Sequence, residues 1–169
     1  MVAMAELTTS DRLQPSLLDR LIDDAPDQRV ESRDRRVMSM RQLRAAVLRD
    51  LGWLLNCPSR PLDDEIHQFP LVAKSVLNFG LPDLTGLTVS GIRAGRLERM
   101  VQDAITNFEP RITRRTLVVR ATDVTEAAGN RAQFEIGGDL CPLPMPEPLF
   151  VRTEVDFETG RCEVREGAA

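Results

Sequence analysis

Glu109-Pro110-Arg111 sets a carboxylate, a rigid backbone element and a guanidinium side by side, where an amphipathic helical pattern gives way to β-rich sequence. Proline disfavours helical dihedrals at the residue before it, so the helix stops near Glu109 and the chain is expected to leave extended. Positions i and i+2 then face the same side, and Glu109 and Arg111 project together from a stiff joint. As an acid, Glu109 would serve glycoside hydrolysis, which needs a second carboxylate about 5–10 Å away and a raised pKa. Arg111, Arg114 and Arg115 would lower that pKa instead, and a chain with no tyrosine, one tryptophan and six phenylalanines offers few rings for sugar stacking. As a binding unit the pair has a simpler task. A carboxylate at a helix C-terminus opposes the helix dipole by about 0.3–1 kcal/mol and seeks a cation. If that cation belonged to a partner, deleting one charge would cost about 2–5 kcal/mol. As an exposed local pair the unit would contribute about 0–1 kcal/mol.

The remaining reactive residues form no recognisable site. His67 is the sole histidine, and no G-x-S-x-G nucleophile elbow accompanies it, so a surface or satisfied histidine is expected. Cys57, Cys141 and Cys162 are widely spaced and lack any C-x-x-C pair, which points to unpaired thiols in a reducing compartment. Asp63-Asp64-Glu65 offers oxygen ligands but no glycine-bearing loop, and suits a helix start better than a calcium site. There is no phosphate-binding loop, and Gly91-Ile92-Arg93-Ala94-Gly95 lacks the third glycine of a dinucleotide fingerprint. No cofactor or metal is expected.

Composition agrees with a binding role. The net charge of −4 does not recommend nucleic acid as a partner. Lys74 is the only lysine, and the other basic residues are arginines, whose forks suit bidentate contacts to carboxylates; a GC-rich genome would give the same bias. The polar start from Met1 to Ser10 is unlike a signal peptide, and no stretch approaches the roughly 18 apolar residues of a membrane span. A cytoplasmic location without membrane insertion is expected.

The elements that must position these residues follow from periodicity. Residues 11–22 repeat leucine and isoleucine at helical spacing, with Leu17, Leu18 and Leu21 available to dock on another protein or to pack back on the same domain. A charged stretch from Asp23 to Arg36 follows. Ser39 and Gln42 have capping-box spacing, and Leu43, Val47, Leu51 and Leu54 then mark one face of a helix ending at Asn56, with Gly52 suggesting close backbone approach. Leu62 to Gly80 carries a weaker helical pattern, and Leu97 to Phe108 a clear one. Beyond Glu109 the period falls to two residues, predicting strands over 117–124, 133–136, 149–157 and 162–164. Gly137-Gly138 and the series Pro142, Pro144, Pro146 and Pro148 are expected to interrupt the sheet or mark its edge. In the hairpin from Leu149 to Val164, Val151, Val155 and Phe157 alternate with Arg152, Glu154 and Asp156. These elements predict an α+β fold with N-terminal helices packed on a small antiparallel C-terminal sheet: residues 1–36 as a helix and charged linker, 37–169 as one domain.

Several segments taken together resemble a known family. Pro15-Ser-Leu-Leu-Asp-Arg-Leu21, the arginine-rich stretch to Arg36, Leu43 through Asn56, Ser75 through Leu84 and Phe108-Glu-Pro-Arg-Ile112 are similar, in order, to TssE, the type VI secretion baseplate subunit related to the phage wedge protein once labelled lysozyme-like. The resemblance implies a non-enzymatic fold similar to the inner domain of the sheath protein. It also implies wedge partners TssF, TssG and TssK, and a role in starting the sheath of TssB and TssC at the cytoplasmic face of the inner-membrane complex. The family's motif falls on Glu109, Pro110 and Arg111, where it implies assembly contacts. Alanine at Glu109 or Arg111 is then expected to spare the fold and stop sheath assembly. Arg152 and Glu154 are expected to set the register of a strand exchanged at the 149–164 hairpin. The alternative is a peptidoglycan muramidase using Glu109.

Overall fold

The computed structural model describes residues 15–22, 27, 38–61, 63–85, 94–125, 130–140 and 146–167. Two long helices lie on one face of a four-stranded antiparallel meander of order β1-β2-β3-β4. The expected α+β class is what the chain forms.

Helix α1 is short, Leu17–Leu21, opened by a Ser16–Asp19 capping box. Of the longer helix expected over 11–22, the first residues, like most of the charged stretch, lie outside the described residues. Helix α2, Met40–Asn56, begins at the Ser39–Gln42 capping box and buries Leu43, Ala46, Val47, Leu51, Leu54 and Leu55. At about 1.5–3 kcal/mol for each large side chain removed from water, that stripe is enough to hold the helix on the sheet. Gly52 meets nothing where a Cβ would stand, so close approach is not the reason for glycine there.

The helix expected over 62–80 is broken into three single turns: a 3₁₀ turn Glu65–Gln68, α3 Pro70–Ala73 and a 3₁₀ turn Val76–Asn78. Side chains of Asp64 and Ser75 cap the two 3₁₀ turns, and Pro70 starts α3, so the apolar residues fall on separate turns rather than one stripe. Gly80, at φ 123°, then brings the chain against the end of α2, where a Cβ would stand 2.0 Å from the Cys57 carbonyl oxygen.

Helix α4, Ala94–Phe108, packs under β1, Val118–Thr125, while α2 packs under β4, Cys162–Glu166. Between them run β2, Arg131–Leu140, and β3, Glu147–Asp156. The strands alternate as predicted, with Phe134, Ile136, Leu149, Val151, Val155 and Phe157 buried against the helices. Gly137 and Gly138 do not interrupt the sheet; they pair with Phe150 and Leu149 inside continuous β2. Glycine is required at 138, where a Cβ would lie 2.9 Å from Ile112 Cγ2. Pro148 sits in β3 beyond the reach of β4, so its missing N–H faces no strand. Of the hairpin from Leu149 to Val164, the first strand is mostly an inner one flanked by β2 and β4, and the second, β4, is the edge of the sheet.

Candidate assembly site

The corner after α4 is a turn, not an extended joint. Glu109 N–H still donates to Ile105 O at 2.9 Å, and Ile112 N–H donates to Glu109 O at 3.3 Å across Pro110 and Arg111. The two side chains nevertheless meet. Arg111 Nε donates to Glu109 Oε1 at 2.7 Å and Nη2 to Oε2 at 2.5 Å, with the Arg111 N–H adding a third bond to Oε1 at 3.1 Å. Arg111 Nη2 also reaches Asp50 Oδ2 of α2 at 2.6 Å. Glu109 is only 4% exposed. Burial alone would lower the pKa of the Arg111 guanidinium, but the Glu109 carboxylate and then Asp50 outweigh it and hold it above the ordinary arginine value.

Beyond the turn, Ile112 bridges Leu140 and Thr113 N–H donates to Asp139 O at 2.8 Å, so the corner is anchored on the end of β2. The Glu-Pro-Arg unit therefore ties α4 to α2 by charge and to the sheet by backbone. Because both oxygens of a buried Glu109 are engaged, alanine at Arg111 would strand a carboxylate in the interior. On that ground the expectation that alanine spares the fold is corrected for Arg111; Glu109→Ala leaves Arg111 its contact with Asp50.

The chain of charges continues outward. Arg49 Nε donates to Asp50 Oδ1 at 2.8 Å, and Arg49 Nη2 lies 2.8 Å from Asp19 Oδ1 of α1. This last contact is an ion pair without an aligned hydrogen bond. Burial opposes ionisation of Asp19, but the Ser16 hydroxyl and Arg49 lower its pKa below the ordinary carboxylate value. The Arg49 guanidinium also lies 5.0 Å from the centre of the Trp53 ring. Asp19, Arg49, Asp50, Arg111 and Glu109 thus link α1, α2 and the corner in one run. The leucines of α1 do not anchor it in the core: Leu17, Leu18 and Leu21 are all exposed.

Arg152 and Glu154 project from inner β3 on the face away from the helices. Arg152 pairs with Glu135 at 3.3 Å, and Glu154 with Arg131 at 3.1 Å. The side chains flanking the outer edge on that face are instead Glu163 and Arg165 of β4.

The ladder also shows which main-chain groups are free. Asp156 N–H donates to Arg161 O, and Gly167 N–H to Phe150 O, so residues 161, 163, 165 and 167 bond inward to β3. Cys162, Val164 and Glu166 then turn their N–H and C=O groups outward. Asn56 satisfies both groups of Cys162, accepting at 3.0 Å and donating at 2.8 Å. Val164 and Glu166 have no main-chain partner among the described residues.

His67 is exposed with Nε2 2.9 Å from Pro61 O, and Asp64 caps a 3₁₀ turn as its acidic run suggested. No cluster of metal-binding side chains occurs among the described residues. Cys57 and Cys162 are free thiols, the latter pushed up to about 12 by burial. Cys141 lies outside the described residues.

A model of the baseplate wedge protein gp25 family matches residues 41–141, more than half of the chain. The chain belongs to the gp25 baseplate wedge family. This is the family of TssE, and the protein is a phage-tail-like baseplate component. The match runs from the start of α2 through the corner to the end of β2, so the gp25 region contains Asp50, Glu109 and Arg111 together. No curated protein matches the chain. No helix among the described residues is long and apolar enough to cross a membrane.

Sequence reasoning missed four contributors: Asp50, Asn56, Glu98 and Gln102. All are polar residues in helices that otherwise read as core elements, and helical spacing carries no sign of partners 15 to 106 residues away. It also missed the exposure of Phe69, Leu71, Val76 and Leu77, because a single helix would have turned part of that set inward.

Proposed function

We propose that this chain is the wedge subunit of a type VI secretion baseplate that starts polymerisation of the contractile sheath by pairing a sheath strand with β4. Its wedge neighbours are TssF, TssG and TssK, with Leu17, Leu18 and Leu21 as their contact, and its sheath partners are TssB and TssC. The complex assembles in the cytoplasm, against the inner-membrane complex, and the chain acts without catalysis. The observation that carries the pairing is the free main chain of Val164 and Glu166 on an outer strand, which is the chemistry of strand addition. Glu109, Pro110 and Arg111 serve assembly by holding the helices and sheet in register.

In cells lacking the chain, fluorescent sheath subunits are expected to remain diffuse and to form sheaths again when the chain is restored. Sheaths that form without it would end the proposal. No observation favours the muramidase alternative, since Arg111 occupies both oxygens of buried Glu109. The purified protein is expected not to clear cell walls; clearing that disappears in Glu109→Gln would reverse that reading.

A further inference from the structure

The face of the sheet away from the helices carries its side chains in rows, because alternate residues point there and the register sets which stand abreast. One row is apolar: Val118, Gly137 and Phe150, with Val118 44% and Phe150 42% exposed. The Phe150 ring passes 3.9 Å from the place a Cβ would occupy on Gly137, so glycine keeps the floor of this row low. The next row is basic, with Arg120, Arg152 and Arg165 around a single Glu135. The row after that turns acidic at Glu154 and Glu163.

Two like-charged pairs stand directly opposite, Arg152 with Arg165 and Glu154 with Glu163. Such pairs destabilise a sheet, so stability of the isolated domain does not account for sorting charges into bands. Neighbours offset this in part: Arg152 contacts Glu135, and Arg165 contacts Glu163 at 2.6 Å. Arg120 has no ion-pair partner among the described residues. A trough of about 570 Å³ follows the apolar row and, of the basic row, Arg120, Glu135 and Arg152, with Asp139 on its other side; Arg165 flanks it, and no described element covers it.

We propose that this trough receives an amphipathic helix of a partner protein, laid across the strands, with its apolar stripe on Val118 and Phe150 and an acidic flank over Arg120, Arg152 and Arg165. The dimensions suit a helix. Four strands at about 4.8 Å spacing give a row about 14 Å long, or nearly three helical turns, and rows two residues apart are separated by about 7 Å, so a helix on one row overhangs the next. The acidic row beyond repels the same flank and fixes how far the helix slides. This surface is separate from the β4 edge.

The test uses the whole chain and two synthetic helical peptides of equal length, each with a leucine stripe, one flanked by glutamates and the other by lysines. The glutamate peptide is expected to bind at least tenfold more tightly, to weaken with salt, and to shift the amide resonances of residues 118–120, 135–137 and 150–152. Arg165→Glu is expected to weaken binding several-fold while leaving thermal stability equal or higher, because it relieves the opposition to Arg152. Val164→Pro, which blocks the β4 edge, leaves peptide binding unchanged, so the two surfaces fail separately. No binding of the glutamate peptide, equal binding of both peptides, or shifts confined to α1 or β4 would overturn the proposal. A concentration-dependent dimer broken by Arg165→Glu would also overturn it, assigning the face to a second copy.

Discussion

At β1 the outer main chain lies against α4: Glu98 Oε1 accepts from Ala121 N–H at 2.8 Å, and Gln102 Nε2 donates to Leu117 O at 3.3 Å. A register shift at Thr122 bends the rest of that strand out of line. At β4 the adjoining helix is α2, and its side chains are spent differently. Asn56 covers the first residue, Cys162, while Arg44 reaches past the main chain to the carboxylates of Glu166 and Glu147 and to Pro148 O. One edge is thus held shut on both sides of Val119, and the other is left open at Val164 and Glu166. The two edges thus differ in which of their outer main-chain groups meet polar side chains of the neighbouring helix.

The sealed side depends on the corner that ties α4 to α2 and to the end of β2, and breaking that corner gives the largest expected effect. Arg111→Ala leaves Glu109 buried without its cation and should lower stability by about 3–5 kcal/mol, measured by urea unfolding. A loss below about 1 kcal/mol would mean that Glu109 relaxes to solvent and that the corner holds nothing. Glu98→Ala is the next largest. It removes the partner of Ala121 N–H and should cost about 1–2 kcal/mol while raising hydrogen exchange at Ala121 and Val119, so that β1 begins to resemble β4. Unchanged exchange there would show that burial under α4, not the side chain, seals the edge.

The smallest effect concerns α1, outside the sheet. Asp19 has a lowered folded pKa, so its contribution is fully present above the ordinary value of 3.8 and is lost as pH falls through the folded one. Because this ion pair lies near the surface, its loss should loosen α1 without unfolding the domain. Fluorescence of Trp53, which Arg49 overlies, should change below about pH 4 in the native chain and show no such step in Asp19→Asn. An identical acid transition in both proteins would detach Asp19 from the charge run.

Much of this architecture was legible in local patterns. The Ser39–Gln42 box placed the start of α2, Pro110 placed the end of α4, and alternation in 149–157 separated its buried valines from Arg152 and Glu154. The same patterns were blind to what crosses between elements. Nothing in the spacing of α2 ties Asp50 to Arg111, 61 residues later, yet that contact turns a pair of opposite charges into a clamp. Gly138 looked like a break because glycine is a weak strand former; it is demanded by Ile112 packing from the corner. The segment 62–80 carried helical spacing, but Pro70 and the caps at Asp64 and Ser75 reset the phase each turn.

The open edge itself is tested by two proline substitutions one residue apart. Val164→Pro removes an N–H that points outward and should leave the folded domain largely intact by circular dichroism. Arg165→Pro removes an N–H that bonds to β3 and should destabilise the hairpin. With both proteins expressed in cells that lack the chain, sheath growth is followed by fluorescence of the sheath subunit. The pairing model predicts that Val164→Pro is folded yet grows no sheaths; normal sheath growth from that variant would contradict it.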